Sequence, residues 1–138
     1  MQKIIAALIG LFSASCAESV SAQDVTVTLL KKFQTTVAGQ TIVAPSGPVE
    51  ISVATYVILP GATLPKHHHD YLRFGYVLSG SLTVTNAATG TAHTFGRGEF
   101  IVEAIGLPHF AVNPGPDTVR LLLIDEAPAD RATVVLDE

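Results

Sequence analysis

The residues of this sequence best suited to chemistry are three consecutive histidines, His67 to His69, which lie between a Pro-Gly turn and an apolar run. In a β-strand alternate side chains share a face, so we expect His67 and His69 to point the same way and His68 the other way. Their Cα atoms would then lie about 6–7 Å apart, close enough for two imidazoles to bind one metal ion. His109 is the candidate for a third ligand. Three neutral imidazoles and water are a suitable set for Zn, Fe, Ni or Cu, with one position left open for a ligand.

The segments around these histidines have the pattern of short β-strands separated by turns. Glycine, proline and asparagine mark the turns. The candidate strands are residues 25–30, 49–59, 73–78, 81–85, 91–95, 99–102, 109–112 and 118–125. After the N-terminal segment there is no helical pattern, apart from a short turn at 127–131. Short strands at regular spacing predict an all-β barrel or sandwich.

Two of the predicted strands, 73–78 and 118–125, carry apolar side chains on both faces. A sheet with one solvated face would show polar residues at alternate positions instead. The second face therefore needs a cover. We favour a second subunit, and thus a homodimer; cover by the N-terminal strand of the same chain is the alternative.

Length and composition narrow the possible classes of protein. A chain of 138 residues is long enough for one domain with a hydrophobic core but not for two. A hydrophobic content of 48% and a charged content of 14% argue against a disordered chain. The net charge of -4 and the scattered Lys and Arg residues predict no nucleic-acid partner.

The N-terminus has the pattern of an export signal. Lys3 provides a positive start, residues 4–12 form an apolar stretch too short to span a bilayer, and Val20-Ser21-Ala22 offers small residues for cleavage. We predict a signal peptide at 1–22 and a periplasmic or secreted domain at 23–138 without a membrane span. The alternatives are a buried N-terminal helix or a lipid anchor at Cys16, the only cysteine. Cleavage would leave the mature chain without thiol or disulfide chemistry.

Two spaced motifs contain the histidines. The first is Gly61-x5-His67-x-His69-x3-Arg73-x6-Gly80, and the second is Gly98-x5-Ala104-x-Gly106-x2-His109-x3-Asn113. Together they resemble the two signature motifs of the cupin superfamily, in the manner of its small exported, type 2-like, single-domain members. The resemblance covers about 49–125 and implies a single-domain cupin-type β-barrel, or jelly roll.

This resemblance also implies a metal centre in which two histidines, a glutamate and a third histidine bind a divalent transition metal. The chain matches these ligands at His67, His69 and His109, but it has Arg73 at the position of the glutamate. A positive charge about 6 Å from a divalent ion costs roughly 5 kcal/mol at an effective dielectric near 20. Structural zinc sites bind their ion with an apparent free energy of about 10–16 kcal/mol. The charge of Arg73 would therefore weaken zinc binding without abolishing it. Arg73 is alternatively expected at the pocket mouth, where it would bind a carboxylate of a ligand.

These features predict an exported cupin with a three-histidine site for Fe, Mn, Ni, Zn or Cu and a small, anionic ligand. A metal-dependent dioxygenase or lyase fits this class of site, although the sequence does not decide whether the protein is an enzyme. One alternative is a metal-free binding module that holds its ligand through Arg73. Another is a structural or interaction protein that uses the two-sided apolar strands. The alternative for the three histidines themselves is that they are only hydrogen-bonded residues of a degenerate pocket.

Three other polar residues, His68, Asp70 and His93, are expected to be solvated. Asn113 is expected to stabilise a strand-to-turn junction.

Two further possibilities concern the missing carboxylate. Glu103 is interpreted as a solvated charge, with a general base at the barrel rim as the alternative. A bulge after His69 would bring Asp70 or Tyr71 inward as a substitute ligand.

Overall fold

The computed structural model describes residues 19–22 and 24–138. Most of the predicted signal peptide, including Cys16, lies outside the described residues. Within them the chain forms no helix, so none that could cross a membrane. The strands are β1 (Ser19–Ala22), β2 (Val25–Thr28), β3 (Glu50–Ile58), β4 (Thr63–His68), β5 (Leu72–Ser79), β6 (Ser81–Asn86), β7 (Ala92–Gly96), β8 (Phe100–Val102), β9 (His109–Val112), β10 (Val119–Ala127) and β11 (Val135–Leu136).

The described residues before Phe33 belong to a separate compact unit. In it, β1 and β2 pair antiparallel, with Ser19 opposite Thr28. The strand predicted at 25–30 is therefore present, although it ends two residues earlier.

Residues from Phe33 onward form the second unit, which is built from two antiparallel sheets. One sheet has the order β3-β10-β5-β8 and the other β11-β4-β9-β6-β7. Side chains from both sheets meet in one buried apolar cluster, which includes Val77, Leu121 and Leu123 from the first sheet and Leu82 from the second. The all-β prediction is confirmed. β5 and β10 carry apolar side chains on both faces, and one face of each strand packs in this core.

The ends of several strands differ from the sequence prediction. β10 continues to Ala127, because its pairing with β3 and β5 extends past Asp125. Residues 128–131 form the predicted turn, closed by a hydrogen bond from the Arg131 N–H to the Pro128 carbonyl oxygen (3.2 Å). β11 was not predicted because it has only two residues; it forms by pairing with His67 and His68 of β4.

Within this unit, the outer face of the four-stranded sheet is covered beside β8. Near β8, the Val37 N–H donates to the Val102 carbonyl oxygen (2.8 Å), and the rings of Phe33 and Phe100 lie 5.5 Å apart. On β3, by contrast, Ile51, Val53 and Val57 remain 55%, 64% and 56% exposed. The second apolar face thus has a partial cover from this same unit.

Asn113 lies at the junction between β9 and the following turn, as the sequence predicted. It is fully buried, and its side-chain amide donates to the carbonyl oxygens of Ile58 (3.0 Å) and Asp117 (2.8 Å). Its Oδ1 accepts a hydrogen bond from the Gly115 N–H (3.0 Å). These bonds hold the turn that follows the His109 strand.

Gly80 forms the bend between β5 and β6, with a φ of 75°. A Cβ atom at this position would lie 2.9 Å from Val119 Cγ2 and 3.1 Å from the Thr118 carbonyl oxygen. The bend therefore requires glycine both for its backbone conformation and for the space beside β10.

We predict that Gly80→Ala lowers the free energy of unfolding by about 2–4 kcal/mol, because it adds a steric overlap to left-handed backbone strain. The control is Gly90→Ala, which has a similar φ of 71° but open space around the new methyl group. This control should lose only about 1 kcal/mol. Urea denaturation of both variants measures the difference, and equal losses would contradict the steric argument.

Candidate metal centre

Three imidazole rings converge inside the barrel. His67 lies in β4, His69 directly after it, and His109 begins β9, where it pairs with His67 across the sheet. All three side chains are buried, and one ligand nitrogen from each lies within 4.8 Å of the other two. The ring centroids are 4.5–5.0 Å apart. The structure thus brings together the three residues that the sequence selected.

A backbone carbonyl fixes the orientation of each ring. The Nδ1 atom of His67 lies 2.6 Å from the Pro65 oxygen, that of His69 2.8 Å from the Thr133 oxygen, and that of His109 2.9 Å from the Leu107 oxygen. Because a carbonyl only accepts hydrogen bonds, each Nδ1 must carry the proton and donate it. In the neutral ring, Nε2 then has a free lone pair for a metal ion.

Burial also keeps these rings neutral. Loss of hydration lowers the pKa of His67, His69 and His109, and it lowers that of His69 to about 3. The charge of Arg73 acts in the same direction on all three rings. Few protons therefore compete for the nitrogens near neutral pH. Their tautomer, protonation state and convergence all suit a divalent transition metal ion.

A carboxylate that the sequence analysis placed in solvent lies beside the histidines. Glu103 follows β8 directly and is only 6% exposed, and its Oε2 lies 3.7 Å from His109 Nε2. Burial raises its pKa to about 7, although Arg73 and His67 act in the opposite direction. The prediction of a solvated charge is therefore wrong. The available signal was a single glutamate within an apolar run, FIVEAIGL at 100–107.

Arg73 is buried and paired rather than placed at a pocket mouth. Its Nε donates to Asp125 Oδ1 (2.6 Å) and its Nη2 to Asp125 Oδ2 (2.9 Å), across the β5–β10 register. Nη2 also donates to Thr133 Oγ1 (3.2 Å). Burial alone lowers the pKa of Arg73, but the hydrogen bonds and charge of Asp125 raise it overall. Asp125 thus neutralises the charge of Arg73. The sequence pattern did not indicate this partner.

The side chains around the histidines line a cavity of about 210 Å³. This volume is smaller than that of a typical drug-sized pocket. Its polar lining consists of the three histidines, Arg73, Glu103 and Tyr56. Its apolar lining is Leu64, Pro65, Leu82, Val84, Ala111, Leu121, Leu123, Val134 and Leu136.

The remaining polar residues lie outside the cavity. Asp70 and His93 are exposed, as predicted. The exposure of Asp70 also argues against the alternative in which it is a substitute ligand. His68 points away from its neighbours in the cluster but is partly buried, with Nδ1 2.9 Å from Asp137 and Nε2 3.4 Å from Asp70. The prediction that His68 is solvated is therefore met only in part, since its side chain is 22% exposed.

The comparisons with known proteins agree with this architecture. Residues 54–125 match the family model described as "Cupin domain". None of the curated proteins matches the sequence significantly. The similar solved structures include two at or above 25% identity. One is the polyketide cyclase RemF from Streptomyces resistomycificus (26% identity, TM-score 0.55, 64% of this chain and 61% of that chain). The other is oxalate oxidase (25%, 0.52, 62% and 45%).

A third similar structure is a double-stranded beta-helix protein from Klebsiella pneumoniae (20% identity, TM-score 0.54, 64% of this chain and 71% of that chain). At this identity the likeness concerns the fold alone. The matches span less than two thirds of RemF and less than half of the oxalate oxidase chain. The family match covers more than half of the present chain and contains all three histidines, so the chain belongs to the cupin family and has its all-β barrel fold.

Proposed function

We propose that this cupin binds one divalent transition metal ion, of Fe, Mn, Ni, Zn or Cu, through Nε2 of His67, His69 and His109. The observation that carries the proposal is the set of three hydrogen bonds from the Nδ1 atoms to backbone carbonyls. These bonds leave the three buried Nε2 atoms available to bind the same ion. When bound, such an ion supplies Lewis acidity or activation of oxygen. The family implies the metal, and the donor set of this chain fits it.

The ligand of this centre is proposed to be a small molecule with an anionic oxygen group. The cavity volume of about 210 Å³ favours a small ligand, and the leucine and valine walls favour an apolar body. Arg73 is the one arginine or lysine in the lining and would contact the anionic end, although Asp125 already offsets its charge. In this arrangement the apolar walls exclude water, the histidines hold the ion, and Arg73 orients the ligand.

The reaction class that suits this site is that of a metal-dependent dioxygenase or lyase. RemF is named as a polyketide cyclase and the second neighbour as an oxalate oxidase, so enzymes occur among the similar folds. The described parts of the site contain no cysteine or serine that could act as a nucleophile, since the cavity lining has neither. Oxygen uptake in the presence of a candidate ligand distinguishes a dioxygenase from a lyase.

Metal binding is tested with the mature chain purified without a histidine tag, stripped of metal and then reconstituted separately with each ion. We expect one equivalent of at least one metal by elemental analysis. His67→Ala and His109→Ala should each weaken binding by more than about 100-fold, since loss of an outer-shell partner alone costs 10- to 100-fold. The control His93→Ala, at an exposed site, should bind as the wild type does.

Failure of reconstitution would contradict the metal centre. Less than about a tenth of an equivalent of every ion tested would be too little for a site of the usual affinity.

A metal-free binding module is the second candidate, because Arg73 lines the cavity and is held in a fixed position by Asp125. This function predicts that glycolate or oxalate raises the melting temperature and that a chelator leaves this effect unchanged. Arg73→Ala combined with Asp125→Ala should abolish the effect, since the double change avoids leaving a buried unpaired charge. Arg120→Ala, at an exposed position, is the control. Dependence of the stabilisation on metal would contradict this alternative.

We also propose that the protein is a homodimer. The exposed apolar side chains of Ile51, Val53 and Val57 lie on one face of β3, and such a face is usually covered in a soluble protein. Val53→Asp should then shift the mass in light scattering from dimer to monomer. Ala88→Asp, in an exposed turn, should leave the mass unchanged. A monomeric wild type would contradict the proposal.

Export is proposed from the N-terminal pattern alone. A signal peptide at 1–22 would place the mature chain in the periplasm or outside the cell. Mass spectrometry of the protein expressed in its full form should find a chain that begins at Gln23, and a chain that still begins at Met1 would argue against cleavage.

A further inference from the structure

Glu103 is a buried carboxylate whose surroundings do not explain it. Among the described residues, its Oε2 is the one buried side-chain nitrogen or oxygen without a hydrogen-bond partner. Buried charged groups are normally paired or bound to a metal. The nearest cation, Arg73, already donates to both oxygens of Asp125. Glu103 therefore has an unsatisfied oxygen inside the barrel.

This oxygen lies close to one of the three candidate metal ligands, His109. Oε2 is 3.7 Å from Nε2 of His109, beyond hydrogen-bond length. Two atoms that each lie about 2.0–2.2 Å from one ion are roughly 3–4 Å apart, so the separation suits two ligands of one ion. Nε2 of His109 is also the nitrogen that its backbone hydrogen bond leaves free.

The backbone places Glu103 beside the position where the family has its glutamate. The Glu103 N–H donates to the Arg73 carbonyl oxygen at 3.0 Å, so Glu103, directly after β8, lies beside Arg73 of β5. Arg73 turns its guanidinium to Asp125, on the opposite neighbouring strand β10. A carboxylate at 103 is thus next to position 73 and points into the same cavity.

We propose that Glu103 is the fourth protein ligand of the metal centre and takes over the role that the family assigns to a glutamate at position 73. This inference rests on the metal binding proposed above. It changes the ligand set from three neutral imidazoles to three imidazoles and one carboxylate. The centre then has an oxygen ligand and one negative charge to offset the ion.

The test uses Co²⁺ titrated into the metal-free mature protein, with binding and coordination followed by visible absorption. We expect Glu103→Gln and Glu103→Ala to weaken Co²⁺ binding at least tenfold. We also expect a changed absorption spectrum, because a lost ligand changes the ligand field of the ion. Glu50→Gln, at an exposed position, should match the wild type in both measurements. Circular dichroism and thermal unfolding without metal establish that each variant is folded.

Two results separate this inference from the metal centre itself. A wild type that binds Co²⁺ and variants that bind it equally tightly, with the same spectrum, would overturn the role of Glu103 and leave the three-histidine site standing. A wild type that binds no Co²⁺ or any other ion would overturn both. The two variants guard against a local defect, since the glutamine keeps the shape of the side chain and the alanine removes any ligand atom.

Discussion

The hydrogen bonds between the histidine Nδ1 atoms and backbone carbonyls are the interactions on which the site depends. For His67 and His109 the acceptor lies two residues earlier in the chain, so the local backbone sets the ring orientation. For His69 the acceptor is Thr133, 64 residues away. The first two rings are therefore positioned by their own strands, whereas the third requires the segment after β10 to lie beside β4.

The charges of the site reflect the presence of Arg73 at the position where the family has a glutamate. An unpaired arginine would repel a divalent ion by roughly 5 kcal/mol, which is an upper bound here because Asp125 neutralises it. A buried ion pair adds little net stability, but removing one partner is costly, so the two residues depend on each other. Once the pair is counted as neutral, Glu103 is the remaining acidic group in the cavity lining that can offset a bound cation.

The sequence was sufficient for most of the strands and for the three histidines, because alternation and motif spacing depend on local geometry. It was insufficient for Glu103 and Asp125. The side chain of a single carboxylate in an apolar strand can point either to solvent or to the interior. Only the pairing register of the strand decides between these two orientations. Asp125 faces Arg73 because β10 pairs with β5 at that residue. β11 was missed for the same reason, since two residues carry no periodicity and form a strand only against β4.

The segment 133–136 links the metal centre to the cavity wall. Its Thr133 holds His69 through the carbonyl and Arg73 through the hydroxyl, while Val134 and Leu136 line the cavity. A ligand in the cavity would therefore contact the same segment that orients a metal-binding ring. Ion and ligand would each favour the docked segment, so each is expected to strengthen the binding of the other by the same factor. The proposed metal binding and the proposed ligand binding would then both depend on the position of this segment beside β4.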